Sequence, residues 1–329
     1  MARHGHEIMV TARDKEMTHE LLQSYEIPFS SRGKGAAGAA GKLAYLLKGD
    51  AILLRKALSF KPDIFLSFSS PYAAQVSALL RKPHIALDDT EHAKLARLFY
   101  RPFSDVILSP ESYRGSSGRK QIKFNSFLEL CYLHPDYFTP DEKVLETLGV
   151  EKDEKFVLMR FVSWQANHDI GHQGLTLENK RMAIEAFSKY ATVFISSEEP
   201  LPDDLQQYRL PAPAKKIHDV IYYASLLYGE SGTMASEAAV LGTPAIFLND
   251  TGLGYTDEEE KRYELVFNFS ESAADQEASI NRGIEALQTN ADKWQEKRSA
   301  LLDEKINLTD YLVWFVENYP QSMRKTYLE

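Results

Sequence analysis

The stretch from Leu227 to Phe247 limits the possible folds of this chain more than any other. A short apolar run ends at Gly229, small polar residues follow, and an alanine-rich segment with helical character begins near Thr233. Gly242 and then Pro244 end that segment, and a second apolar run follows at once. This order predicts a strand, a loop, a helix and a second strand, which is the repeating unit of a parallel α/β sheet.

The loop of this stretch is suited to an anionic ligand. Ser231, Gly232 and Thr233 stand at the start of the helix, where the first backbone N–H groups have no acceptor within the helix. Glu237 follows on the same helix face, roughly 6 Å further along the axis. A phosphate at the helix start and a sugar diol at Glu237 fit this spacing. In the alternative interpretation Ser231 is an ordinary N-cap and Glu237 is a solvated side chain, and the spacing alone leaves both open.

Composition restricts the class of protein. With 329 residues, of which 44% are hydrophobic, the chain can form two domains of ordinary size. A net charge of -9 argues against a nucleic-acid-binding surface, so no nucleic acid partner is expected. The one cysteine, Cys131, cannot form an intramolecular disulfide, and no apolar run approaches the length of about eighteen residues that a membrane span needs. We expect a cytoplasmic protein, and peripheral contact with a membrane surface is compatible with this composition.

Both halves of the chain alternate short apolar runs with helical segments, which predicts parallel sheets covered by helices on both faces. The strands predicted in the first half are His6 to Thr11, Ile27 to Ser30, Asp63 to Ser69, His84 to Leu87, Asp105 to Ser109 and a weaker one near Ile122. Those predicted in the second half are Phe156 to Val162, Thr192 to Ser196, Ser225 to Tyr228, Ala245 to Leu248 and Leu265 to Phe269. Ligands of such sheets bind at the carboxyl ends of the strands.

A segment with aromatic residues and prolines ends the first half and marks a domain boundary. We therefore expect one domain over residues 1–138, a second over residues 139–307, and a terminal helix over residues 308–329 that packs back on the first domain. The residues before the first predicted strand resemble the end of a helix closed by Gly5, so a first strand and most of its helix are expected to be absent. The glycine-rich segment Gly33 to Gly41, followed by a helix predicted over Ala51 to Phe60, is either a mobile loop or a ligand cradle.

An acidic loop, Asp88 to His92, directly follows one of the strands predicted in the first half. Its carboxylates and imidazole are close enough to shift one another's pKa, as a general acid or base requires. Asp89, Glu91 and His92 are therefore candidate catalytic residues. The alternative is that Asp89 or Thr90 caps a helix predicted over Glu91 to Tyr100, whose first turn then carries negative charge.

A second polar loop follows the first strand of the second half. It contains Ser163, His168, Asp169 and His172 at the carboxyl end of that strand. Two histidines and one aspartate outside a helix are a weak signal for a metal, and we predict no metal site here.

Two sets of motifs resemble known families. The donor-binding motif of GT-B glycosyltransferases and of UDP-N-acetylglucosamine 2-epimerases is similar to the pattern Ser231, Gly232, Thr233, Glu237, Gly242 and Pro244. Three further stretches resemble a GT-B-like family called domain of unknown function 354 and cover nearly the whole chain. These are Arg160-Phe-Val-Ser-Trp with the following His-Asp-x-Gly-His, Asp89-Thr-Glu-His-Ala, and Gly232-Thr-Met-Ala-Ser-Glu.

The resemblance implies two Rossmann-like domains that face each other across a cleft, with a nucleotide sugar bound mainly by the second domain. By similarity, Ser231, Gly232 and Thr233 hold the diphosphate and Glu237 holds the ribose. Arg160 and the loop with Ser163, His168, Asp169 and His172 occupy the position where related proteins contact phosphate or sugar. Asp89, Glu91 and His92 fall where the epimerases carry acidic and imidazole groups, although the His-x-Glu-x-Gly pattern of the epimerases is absent.

We therefore expect a metal-independent glycosyltransferase without a cofactor, whose substrate is a nucleotide-diphospho-sugar, with UDP as the expected nucleotide, and whose acceptor is a glycan or a lipid-linked molecule. Arg160 and the helix start stabilise the leaving diphosphate in this hypothesis, and a group of the acidic loop deprotonates the acceptor. Two alternatives remain open: a UDP-sugar 2-epimerase or hydrolase, and a non-catalytic protein that binds nucleotide sugars.

Overall fold

The computed structural model describes residues 1–15, 17–35, 38–92, 94–162, 174–197, 199–324 and 327. The chain divides into two compact units. The first unit combines Met1–Asn125 with Thr309–Glu329, and the second unit is the continuous segment Ser126–Leu308. The second unit begins at Ser126, before the boundary expected at residue 138. It begins there because Phe127, Leu130 and Leu133 are fully buried in its core.

The first unit is an α/β structure with parallel strands. Its strands are β1 (Val10–Asp14), β2 (Phe29–Lys34), β3 (Phe65–Phe68), β4 (His84–Leu87), β5 (Val106–Pro110) and β6 (Gln121–Phe124). Between them lie α1 (Thr18–Ser24), α2 (Gly38–Phe60), α3 (Pro71–Leu80) and α4 (Lys94–Tyr100). β1 pairs with β2 in one sheet, and a second sheet has the order β3-β4-β5-β6. The strand predicted over His84 to Leu87 is confirmed at both ends.

Helix α2 begins much earlier than the sequence analysis predicted. The segment Gly33 to Gly41 is only partly a loop, because α2 starts at Gly38 and runs for 23 residues, whereas the helix was predicted to begin at Ala51. Each glycine in a helix costs about 1 kcal/mol relative to alanine, so the glycines of this segment favoured the prediction of a loop. Gly49 also has a packing role, since a Cβ there would lie 2.6 Å from Cε1 of Tyr72.

The second unit is a parallel sheet with helices on both faces. Its strands are β7 (Phe156–Phe161), β8 (Thr192–Ser197), β9 (Leu226–Gly229), β10 (Ala245–Leu248) and β11 (Val266–Phe269). Its helices are α5 (Leu130–Leu133), α6 (Lys143–Leu148), α7 (Leu177–Phe187), α8 (Ile217–Tyr223), α9 (Gly232–Leu241), α10 (Gly254–Glu258), which continues into a π-helical turn (Glu259–Tyr263), α11 (Ala273–Gln288) and α12 (Ala291–Glu304). The strands β7, β9 and β10 are almost entirely buried, which explains why they appear in the sequence as unbroken apolar runs.

The strand order of the second sheet determines where a ligand can bind. The order is β11-β10-β9-β7-β8, so the chain runs outward from β7 to β8 and then returns to β9 on the other side of β7. In open parallel sheets the crevice outside the carboxyl ends of the strands at such a reversal is the usual ligand site. The loop after β9 leads into the start of α9, where Ser231, Gly232 and Thr233 lie.

The last helix, α13 (Leu308–Glu317), belongs mainly to the first unit. Within that unit the ring of Tyr311 lies 5.9 Å from the ring of Phe124, and Phe315 is fully buried. Glu317 accepts hydrogen bonds from His4 and His6, each at 2.8 Å. Among the described residues, no helix combines the length and the apolar character that crossing a membrane requires.

Candidate functional site

Residues that can be recognised in the local sequence fix the start and the end of α9, the helix that follows the loop after β9. Ser231 is extended, and its Oγ accepts a hydrogen bond from the backbone N–H of Met234, as an N-cap does. Gly242 ends α9 in the left-handed conformation, with φ of 86°. Gly232 is required by packing, because a Cβ there would lie 2.3 Å from Cδ1 of Leu253.

The first turn of α9 is the part of this unit best suited to an anion. In this turn Thr233 is exposed and Met234 is partly buried. The N–H groups of Gly232 and Thr233 belong to the helix start, where no helical carbonyl precedes them. Since α9 has ten residues, its positive end can favour a negative group at this point.

Glu237 is buried rather than solvated. Glu237 is 7% exposed. Its Oε1 accepts hydrogen bonds from the Tyr132 hydroxyl and from Nε2 of His218, both at 3.0 Å. The pKa of Tyr132 lies well above its usual value, mainly because burial removes its hydroxyl from water and also because the carboxylate of Glu237 lies beside it. The solvated-side-chain alternative for Glu237 is therefore wrong, and the carboxylate is held in one orientation by two partners.

Arg160 lies next to this loop through its backbone. Its carbonyl oxygen accepts the N–H of Glu230 at 3.0 Å, and it pairs with Gly229 across β7 and β9. Its guanidinium group is directed towards the other neighbouring strand, where Nη1 donates to Oγ of Ser196 on β8 at 3.1 Å. The guanidinium is thus beside the strand reversal, and its contact with a diphosphate remains a prediction.

Glu230 is a site residue that the sequence analysis did not select. Its side chain is only 9% exposed, and its two carboxylate oxygens accept the backbone N–H groups of Val162, at 2.9 Å, and Leu175, at 2.7 Å. Nζ of Lys180, which is 3% exposed, lies 3.3 Å from the same carboxylate. Burial lowers the pKa of Lys180. Glu230 therefore fixes the residues on either side of the segment 163–173.

That segment contains four of the predicted site residues. Ser163, His168, Asp169 and His172 lie outside the described residues, so their predicted contacts with phosphate or sugar stay predictions. The described neighbour Gly174 donates its N–H to Oε2 of Glu271 at 2.8 Å.

The acidic loop belongs to the first unit and contains two adjacent aspartates in different surroundings. Asp88 is buried, and its Oδ2 accepts hydrogen bonds from the hydroxyl groups of Tyr100 and Tyr113. Its Oδ1 accepts the N–H of Thr90 at 3.1 Å. Asp88 thus shapes the loop.

Asp89 is the residue of this loop whose protonation is tuned. Burial raises its pKa to about 6, although the hydrogen bond from the Thr90 hydroxyl acts in the opposite direction. Glu91 accepts the N–H of Arg114 at 3.3 Å, and His92 is exposed. Helix α4 starts at Lys94, so the expectation that the helix begins at Glu91 is wrong. Glu91 and His92 form a turn instead, and the Glu91 side chain accepts the N–H of Arg114.

A basic cavity of about 540 Å³ adjoins the acidic loop through Arg97. Arg97 lines the cavity and also donates from Nη2 to the carbonyl oxygen of Glu91 at 2.7 Å. The cavity is further lined by Leu98, Arg101, Pro102, Ser117, Arg119 and Lys120. No cluster of three or more His, Cys, Asp or Glu side chains that could hold a metal occurs in the part of the chain that the structure describes.

Local and long-range features of the site differ in what the sequence reveals. Ser231 and Gly242 are recognisable from their positions at the ends of one helix. The partners of Glu237 come from residues 105 and 19 positions away, and no periodicity links them to it. The signal for Glu230 was present, since a carboxylate directly after a buried strand lies at the ligand edge of the sheet.

Comparisons with known proteins support a common fold. An uncharacterized protein of Methanocaldococcus jannaschii is 23% identical over 257 residues, which cover 74% of each chain. The solved structure of the UDP-GlcNAc 2-epimerase of the same organism has a TM-score of 0.63 at 13% identity, covering 95% of this chain and 91% of that one. The same enzyme has been solved in complex with UDP-GlcNAc and UDP.

MurG of Acinetobacter baumannii has a similar fold, with a TM-score of 0.57 at 13% identity, covering 96% of this chain and 92% of that one. These likenesses confirm the α/β fold of the GT-B type that the motifs predicted. The model of the family described as protein of unknown function (DUF354) matches residues 1–309. This match confirms the resemblance found in the motifs, and the chain belongs to the DUF354 family.

Proposed function

We propose that this protein binds a nucleotide-diphospho-sugar in its second unit and transfers the sugar to an acceptor hydroxyl. The observation that carries the proposal is the open first turn of α9, which stands at the carboxyl edge of the sheet beside the reversal between β7 and β9. A buried carboxylate, Glu237, follows one turn later. The complex of the M. jannaschii epimerase with UDP-GlcNAc and UDP supports UDP as the first nucleotide to test.

The proposed roles of these groups follow from the negative charge that develops on the leaving nucleoside diphosphate. Transfer of a sugar leaves a nucleoside diphosphate with developing negative charge, and oriented N–H groups at a helix start stabilise such charge without reorganisation. The N–H groups of Gly232 and Thr233 would serve the diphosphate, and Glu237 would accept hydrogen bonds from the ribose hydroxyls. In the first unit, Asp89 has a pKa of about 6, which suits a base that takes the proton of the acceptor near neutral pH.

Binding of UDP, measured by calorimetry, tests the nucleotide site. We expect Glu237→Ala to weaken UDP binding about 10- to 100-fold, because a hydrogen bond to a charged group contributes about 1.5–3 kcal/mol. Ser231→Ala should also weaken it. Ser272→Ala is the matched control, since Ser272 caps α11 in the same way but lies outside the proposed site. Failure of every nucleoside diphosphate to bind would overturn the proposal.

The second candidate is a UDP-sugar 2-epimerase or hydrolase. It is favoured by the presence of two carboxylates, Asp89 and Glu91, on one loop, because removal and return of a proton at a sugar carbon needs an acid and a base. Incubating UDP-sugars alone separates the candidates. An epimerase or hydrolase converts the donor without an acceptor, whereas a transferase leaves it largely intact. Donor turnover in the presence of an acceptor is measured separately with and without EDTA, and the proposed transferase keeps that turnover in both.

A further inference from the structure

A cluster of arginines and tyrosines in the first unit has no place in the proposed nucleotide site. Arg13 lies near the carboxyl end of β1, and Arg32 lies towards the carboxyl end of β2, the parallel neighbour of β1. Tyr72 is in the first turn of α3, directly after β3, and Tyr45 and Asp50 are on α2. The cluster is therefore at the edge of the strands where parallel sheets bind ligands.

Aromatic rings hold both guanidinium groups in place. The guanidinium carbon of Arg32 lies 4.5 Å from the centre of the Tyr72 ring, and that of Arg13 lies 5.3 Å from the centre of the Tyr45 ring. The two rings are 5.9 Å apart and meet edge to face. Rings of this kind attract the face of a guanidinium group and leave its N–H edge available to a planar or tetrahedral oxyanion.

The glycine-rich segment makes room for this arrangement. A Cβ at Gly35 would lie 1.8 Å from Nη2 of Arg13, so any other residue there would displace the guanidinium. Gly33 has φ of 77°, and its carbonyl oxygen accepts the hydroxyl of Tyr45 at 3.1 Å. Gly35 thus leaves space for the guanidinium of Arg13, and Gly33 holds the ring of Tyr45 on which that guanidinium lies.

Four polar side-chain atoms of the cluster are buried without a hydrogen-bond partner among the described residues. Nε of Arg13 and both Nε and Nη1 of Arg32 have no acceptor among the described residues, although solvent does not reach them. Oδ1 of Asp50 is likewise buried without a donor. Burial raises the pKa of Asp50 to about 6, although the positive charge of Arg32 acts in the opposite direction. Buried donors on charged groups are costly when they lack acceptors, and a bound anion would supply them.

We propose that Arg13 and Arg32 bind an oxyanion, a phosphoryl group in particular, at the carboxyl ends of β1 and β2. These residues belong to the first unit, whereas the proposed nucleotide site belongs to the second unit. Its ligand is either free inorganic phosphate or the phosphomonoester of a larger substrate, and the two share the chemistry that the arginines recognise. A bidentate guanidinium matches two oxygens of such a group.

Chemical labelling of the wild-type protein tests this without a variant. Arg13 and Arg32 are half-buried rather than fully enclosed, so phenylglyoxal, which modifies arginines, can be used on both. Peptide mass spectrometry measures the modified fraction at each arginine. UDP is present at saturation throughout, so that phosphate cannot act through the second unit. Inorganic phosphate or a hexose phosphate should reduce modification of Arg13 and Arg32 at least fivefold, and should leave the exposed Arg55 of α2 unchanged. Protection by the hexose phosphate alone identifies a phosphomonoester substrate, protection by both identifies a phosphate-ion site, and protection by neither overturns the proposal.

A second experiment uses matched variants. Phosphate binding is measured by calorimetry, again with saturating UDP, for Arg32→Gln, Arg32→Lys and Arg55→Gln. We expect Arg32→Gln to lose at least tenfold in affinity and Arg55→Gln, which makes the same change of charge, to lose none. Arg32→Lys keeps the charge but not the paired donors, and should fall between them. Equal affinity of Arg32→Gln and Arg55→Gln contradicts the proposal, whereas loss of UDP binding in both would concern the nucleotide site instead.

Discussion

Two neighbouring aspartates show how burial and hydrogen bonding assign different tasks to the same side chain. Asp88 receives two phenol hydroxyls and a backbone N–H, and so is committed to holding the loop in shape. Asp89 accepts a hydrogen bond from the hydroxyl of Thr90 at 3.1 Å, and burial raises its pKa to about 6. A carboxyl group with such a raised pKa can exchange a proton close to neutral pH.

Replacing Asp89 tests this assignment through the pH dependence of turnover. If Asp89 is the base, its ionised form is active, so turnover should fall as the pH drops below about 6. Asp89→Asn should lower kcat by about 10²- to 10⁴-fold and remove that pH limb, while UDP affinity stays unchanged. Glu91→Gln and His92→Gln provide the comparison. An unchanged pH profile in Asp89→Asn assigns the base elsewhere.

At the scale of elements, the ends of individual strands were predicted better than the order in which the strands pair. The strands β4 and β10 agree with the prediction at both ends, because apolar runs bounded by polar residues define buried strands. The placement of β7 between β8 and β9 is not visible in the sequence, since it depends on which strands pair. The role of Glu230 depends on the same pairing, because β7 brings Val162 beside it.

Glu230→Gln should loosen the residues that flank the segment 163–173. Glutamine has one carboxamide oxygen, so one of the N–H groups of Val162 and Leu175 loses its acceptor, and buried Lys180 loses its counter-charge. We expect a loss of about 3–5 kcal/mol in the free energy of unfolding, as for other broken buried ion pairs, and weaker UDP binding. Denaturant unfolding and calorimetry measure the two effects.

A double variant separates the ion pair from the backbone contacts. Glu230→Gln with Lys180→Met removes the buried ammonium group of Lys180 as well, so it should be less destabilised than the sum of the single variants. Additive losses would mean that Lys180 and Glu230 do not interact. Glu271→Gln is the control, because Glu271 also accepts a backbone N–H beside the segment 163–173, that of Gly174.

For the whole molecule, each unit has its own hydrophobic core. The core of the second unit consists of side chains between Phe127 and Leu301, all within one continuous segment. The first unit has smaller clusters, one around Leu53 and Phe65 and another around Tyr100 and Ile107. A sequence can predict two α/β halves by its alternation, but the exact change of unit depends on which core buries residues such as Phe127.

The segment 126–308 should therefore fold alone. Expressed by itself, we expect it to unfold in one cooperative thermal transition and to bind UDP within about tenfold of the full chain, since every described residue of the proposed nucleotide site lies within it. Circular dichroism and calorimetry test both points. A fragment that folds but does not bind UDP would place an essential part of the nucleotide site in the first unit.

The division of the chain into units also orders its synthesis. The first unit is completed only by residues after 308, whereas the second is released as one uninterrupted length. At the usual rate of translation, roughly 10 to 40 seconds separate the emergence of Asn125 from that of the last helix. During this interval Phe124 lacks the ring of Tyr311, and the buried position of Phe315 is unfilled. On the ribosome, the unit that is made first is thus the unit that is finished last.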